Sequence, residues 1–109
     1  MDKKDFFVFS ALLSDVHAKA FGEPISRLSH SKAQSLSWLV YEATGALLSY
    51  KTLGNYVAAV LDSAPGKINP TGMTLSILAC YVEGPVKGGC NGLAWYKYRT
   101  GVLGRQMAA

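Results

Sequence analysis

The residues best suited to chemistry in this 109-residue chain fall in one short string, Ser49-Tyr50-Lys51-Thr52-Leu53-Gly54-Asn55-Tyr56-Val57. It opens on a serine, a residue that caps helices, and sets hydrogen-bonding side chains in the two turns that follow. If Leu53, Tyr56, Val57, Val60 and Leu61 turn inward, Tyr50, Lys51, Gly54 and Asn55 share the outer face. Tyr50, Lys51, Thr52 and Asn55 are then the types that reach base edges or flanking phosphates in a DNA major groove, asparagine matching adenine and lysine guanine. Gly54 would permit close backbone approach. The same four side chains equally suit a solvated helix face.

Catalytic chemistry finds no such cluster. Ser29-His30-Ser31 sets hydroxyls beside an imidazole, but neighbouring side chains point apart and no acid is spaced to orient the histidine. Glu42, Asp62 and Glu83 lie on separate elements, and Gly88-Gly89-Cys90-Asn91-Gly92 lacks the Lys-Ser/Thr that completes a phosphate loop, so it reads as a flexible turn. His17 and His30 have no second ligand type at a useful spacing. The expectation is a chain that is not an enzyme, with no metal and no cofactor.

Those residues must be positioned by elements, and apolar spacing supplies them. From about Lys4 to Ala20, Phe6, Phe9, Leu12, Leu13, Val16 and Ala20 recur at helical intervals, and Phe21-Gly22-Glu23-Pro24 ends the run. Ser29 or Ser31 caps a second helix lined by Ala33, Leu36, Leu39, Val40 and Ala43 up to Gly45. After the short apolar turn Ala46-Leu47-Leu48, the Ser49 string forms the third helix. Pro65-Gly66 and Asn69-Pro70 mark a loop from Asp62 to Pro70. Thr71 or Gly72 then opens a fourth helix carrying Leu75, Leu78, Ala79 and Val82, which stops at Gly84-Pro85. A fifth covers Leu93 to about Val102, its end frayed by Gly101 and Gly104. No segment alternates with period two, so the expected fold is all-α: one domain, a five-helix bundle over 1–109.

Charge has a location. Residues 1–30 carry four basic and four acidic side chains and residues 31–83 three of each, so the whole net charge of +4 comes from Lys87, Lys97, Arg99 and Arg105 in the basic, aromatic segment 87–109. Lys32, Lys67, Lys97 and Arg99 would add sequence-independent attraction for phosphates, as would the helix starts near Ser31 and Ser49. Asp15, Lys19, Glu42 and Lys51 interrupt every candidate membrane span, and the first residues do not form a secretory leader, so the expectation is a cytoplasmic protein without a membrane partner. Cys80 and Cys90 fit no zinc spacing and are expected as reduced thiols, Cys80 in the core and Cys90 exposed.

Two strings carry a resemblance: Ser49-Tyr50-Lys51-Thr52-Leu53, and Pro70-Thr71-Gly72-Met73-Thr74-Leu75-Ser76-Ile77-Leu78-Ala79-Cys80-Tyr81-Val82. Together with the order of helices from Ala33 to Val82, they resemble phage-repressor or Cro-like helix-turn-helix domains and short N-terminal modules of bacterial regulatory proteins. The resemblance implies a helix-turn-helix-like core over about 31–83, double-stranded DNA as partner, and a role in transcription regulation. Aligning Gly45 with the family's turn glycine puts Tyr41 where a small residue belongs, and the turn is longer than the standard one.

The competing expectation is a protein-interaction or self-assembling adaptor domain, akin in architecture to death-fold bundles of signalling or defence proteins. Phe6, Phe7, Trp38, Tyr41, Tyr50, Tyr56, Trp95, Tyr96 and Tyr98 are more aromatics than one small core hides, with Trp38, Tyr41, Trp95 and Tyr96 as interface anchors. Under either expectation the chain works as a homo-oligomer or inside a larger assembly. The position of the cations separates the two: a patch shared by Lys32, Lys51, Lys67, Lys97 and Arg99 favours DNA, and scatter around an aromatic surface favours assembly.

Overall fold

Three of the helices start on a capping side chain, and two of those also end on a left-handed glycine. The computed structural model describes residues 1–84 and 93–108, with side chains described through residue 105. Among these residues are five α-helices, α1 (Lys3–Phe21), α2 (His30–Thr44), α3 (Tyr50–Leu61), α4 (Gly72–Glu83) and α5 (Ala94–Ala108), one 3-10 turn at Pro65–Lys67, and no strand. Asp2 caps α1 by accepting from the Asp5 amide at 2.8 Å, Ser29 caps α2 through the Lys32 amide at 3.2 Å, and Thr71 caps α4 through the Thr74 amide at 3.2 Å. α1 and α2 end on glycines in the left-handed region, Gly22 at φ 69° and Gly45 at φ 75°.

Two expectations about helix ends need correction. Ser49 occupies the N-cap of α3 but its hydroxyl accepts no amide there, so the serine that marked the string leaves the first amides of α3 without a side-chain cap. α5 does not fray at its glycines: its backbone runs through Gly101 and Gly104 to Ala108. Tertiary packing through Trp95, Tyr98 and Val102, all buried, outweighs the cost of about 1 kcal/mol that each interior glycine imposes.

The protein is all-α, built around α4. The spacing of Leu75, Leu78, Ala79 and Val82 predicts one buried stripe, yet every residue from Leu75 to Tyr81 is buried. The cause is that α1, α2 and α5 all pack against α4, and a helix enclosed on all sides has no polar face. Val8, Phe9, Leu12, Leu13 and Val16 of α1 fill one side of this core, with the Phe9 and Tyr56 rings meeting edge to face at 5.4 Å. Leu36 and Val40 close it from α2, while Ala43 is exposed and Leu39 only half-buried.

Polar contacts fasten the outer helices. The Tyr98 hydroxyl donates to Asp15 Oδ2 at 2.6 Å and Arg99 Nε to Asp5 Oδ1 at 2.7 Å, clasping α5 to α1. Lys19 reaches the Tyr81 carbonyl at the end of α4 and lies 4.8 Å from the Tyr81 ring. Cys80 is buried and disulfide-bonded, against the expectation of a reduced thiol. A spacing rule that looks for metal ligands or multi-bridge scaffolds does not register a single pair. Cys90, Lys87 and the Gly88–Gly92 string lie outside the described residues.

Candidate functional site

The α2–α3 connection sets up the most distinctive surface. Its turn is held by two hydroxyls on α2: Ser37 Oγ donates to the Leu48 carbonyl at 2.5 Å, and Thr44 Oγ1 donates to Val40 at 2.7 Å while accepting from the Ala46 amide at 3.2 Å. Anchored so, the turn sends Leu48 into the core and leaves Leu47 70 % exposed. On the adjoining face of α2, Trp38 is 61 % and Tyr41 43 % exposed, their rings edge to face at 5.6 Å. Between the first halves of α2 and α3 lies a groove of about 570 Å³ lined by Ser31, Gln34, Ser35, Ser37, Trp38, Leu47 and Tyr50. Not one of these side chains is charged. The groove offers two aromatic faces, one aliphatic side chain, three hydroxyls from serines and a carboxamide, which is chemistry for an uncharged partner.

The residues picked for DNA are divided by the fold. Tyr50 is half-buried, meets the His30 ring edge to face at 4.9 Å and lines the groove. Lys51 and Asn55 are exposed and Thr52 half-buried. Asn55 and Lys67 share a smaller hollow of about 280 Å³ with Asp62, whose carboxylate is paired with Arg27. Lys32 is paired with Glu23, holding that carboxyl below its ordinary value first through the hydrogen bond and then through its charge, and its Nζ lies 5.1 Å from the Phe21 ring. Arg99 is bound to Asp5. Lys97 is exposed, but on α5, which packs on α4 and α1, whereas Lys51 is on α3, packed on α2 and α1. Two of the five cations are therefore neutralised, and the rest are spread over α3, the loop after it and α5.

The four expected interface anchors also separate. Trp38 and Tyr41 are exposed together, Tyr96 is 62 % exposed on α5, and Trp95 is buried in the core with its backbone amide 3.4 Å from Ser76 Oγ. His17, which seemed isolated in sequence, is 1 % exposed against Phe21; its Nδ1 lies 3.0 Å from the Glu23 carbonyl, so Nδ1 carries the proton and the buried Nε2 has no partner. Its role is to hold the turn after α1. Among the described residues no group of three His, Cys, Asp or Glu is placed to hold a metal ion, and no helix is long and apolar enough to cross a membrane.

Of the groove residues, Gln34, Ser35 and Leu47 were assigned to no site from the sequence, and Ser31 was placed only at a helix start. A signal was present: Ser31, Gln34, Ser35, Trp38, Tyr41 and Glu42 recur at three and four, opposite the buried stripe of α2, and form one outward face. No protein-family model, curated protein or solved structure matches the chain. The helix-turn-helix resemblance therefore rests on the two strings that suggested it.

Proposed function

We propose that this chain is a non-enzymatic protein-interaction domain whose docking surface is the outward face of α2 with the turn that follows it. One observation carries this: Trp38, Tyr41 and Leu47 are exposed together beside an uncharged groove, although the protein buries a full core elsewhere. Exposed aromatics around a depression are what interface centres are made of. Scatter and pairing of the cations support assembly over phosphate attraction by the criterion set out from sequence.

A second proposal, DNA binding by a bacterial regulator of helix-turn-helix type, is favoured by one feature: Lys51 and Asn55 stand exposed on α3, with Lys67 beside Asn55. The decisive experiment titrates a labelled mixed-sequence duplex with the protein, following fluorescence anisotropy at about 50 and about 200 mM salt. No binding at tens of micromolar protein is the expected result. Binding that falls steeply with salt and is lost in Lys51→Glu would overturn the interaction-domain proposal in favour of DNA.

A further inference from the structure

The outward stripe of α2 is graded by size. Its amino-terminal half carries Ser31, Gln34 and Ser35 and its carboxy-terminal half Trp38, Tyr41 and Glu42. The groove sits over the small half, and the exposed indole stands at its edge. A protrusion and a recess displaced by less than one turn along one helix are self-complementary under a two-fold rotation. Two α2 helices crossing antiparallel, with the axis midway between positions 35 and 38, bring each Trp38 over Ser35 and Gln34 of the other copy.

Resting on the interaction-domain proposal, we infer that the groove's occupant is a second copy of this chain, in a two-fold dimer in which each Trp38 fills the other copy's serine-lined recess. Charge agrees with this arrangement. Each copy carries a net +4, so an interface between copies must keep cations out of its centre, and the groove lining holds none. Glu42, exposed at the carboxy-terminal end of the stripe, falls opposite the amino-terminal end of the other α2 under the same rotation, near Ser31. There the helix dipole is positive and a carboxylate is stabilised.

The test is sedimentation velocity on the whole chain from about 5 to about 500 µM, a range that brackets micromolar affinity. Two substitutions at exposed positions, Trp38→Ser and Ser35→Trp, are compared, with circular dichroism confirming that each folds. A dimer is expected that weakens tenfold or more in either variant, Trp38→Ser emptying the recess and Ser35→Trp filling it. Mixing the two variants one to one restores association, because positions 35 and 38 face each other. Every such contact in the mixed dimer is then again one serine against one tryptophan. A dimer indifferent to both substitutions, or two weakened variants whose mixture stays monomeric, overturns the geometry. A wild-type chain monomeric at about 500 µM overturns the second copy as occupant. Panning a displayed peptide library against the monomer then separates the two levels: binders lost in Trp38→Ser leave the docking surface standing, and none at all overturns it as well.

Discussion

The contact between Tyr98 and Asp15 joins α5 to α1 with one hydrogen bond, and Tyr98→Phe deletes that bond while keeping the ring that fills the core. A hydrogen bond to a charged group contributes about 1.5–3 kcal/mol. Asp15 is exposed, so water takes over its carboxylate when the hydroxyl goes, and the loss belongs at the lower end, about 1.5 kcal/mol. In a domain of this size that corresponds to a fall in Tm of roughly 6–12 °C, from the shift of about 4–8 °C per kcal/mol. The same contact sets a pH dependence. Burial first, then the hydrogen bond and charge of Asp15, push the Tyr98 hydroxyl well above its ordinary value. Because the folded state favours the protonated phenol, this stability is complete below the unfolded value of about 10 and is lost as the pH rises beyond it. Urea denaturation followed by far-ultraviolet circular dichroism at pH 7, 10 and 11 measures both effects. Tyr98→Phe should lower stability at pH 7 and flatten the alkaline decline by up to about 1.4 kcal/mol per pH unit, the slope of one proton. The decline that remains belongs to Tyr56 and Tyr81, which burial also raises. Equal stability of the two proteins at pH 7, or equal alkaline slopes, would refute the account of the clasp.

Three further substitutions have expected outcomes by thermal or urea denaturation at pH 7. Ser29→Ala removes the bond to the Lys32 amide and should cost about 1 kcal/mol, whereas Ser49→Ala, at a cap without such a bond, should cost a few tenths at most. Leu78 is wholly buried in the middle of α4, and Leu78→Ala should cost about 2–5 kcal/mol, enough to threaten folding at 37 °C. Gly54 has ordinary backbone angles and open space where a methyl would go, so Gly54→Ala should stabilise α3 by about 0.5–1 kcal/mol; a loss instead would mean the outer face of α3 is under strain.

What depended on local chemistry was legible in the sequence. The Gly22 and Gly45 stops, the helix starts to within a residue or two of Ser29 and Thr71, and the all-helical class follow from residues within a few positions of one another. What depended on distant partners was not. Asp5 and Arg99 are 94 positions apart, so nothing near Arg99 marks it as neutralised. Lys32 and Glu23 are closer, yet their meeting requires the connection between α1 and α2 to fold back first. Ser49 has the right identity for a cap, yet its hydroxyl accepts no amide of α3. The groove escaped notice because periodicity draws attention to apolar stripes, while its floor is serine and glutamine.

The clasp between α5 and α1 also governs the order in which the chain becomes a protein. α1, carrying Val8, Phe9, Leu12 and Val16, is made ahead of α5, whose residues follow roughly 5–20 s later at ordinary rates of elongation. Throughout that interval part of the apolar flank of α1 has water for a neighbour, and the nascent chain is exposed to misassembly and to chaperones. α5 completes the surroundings of α1, so closure of this bundle waits on contacts 83 and 94 positions apart in the sequence.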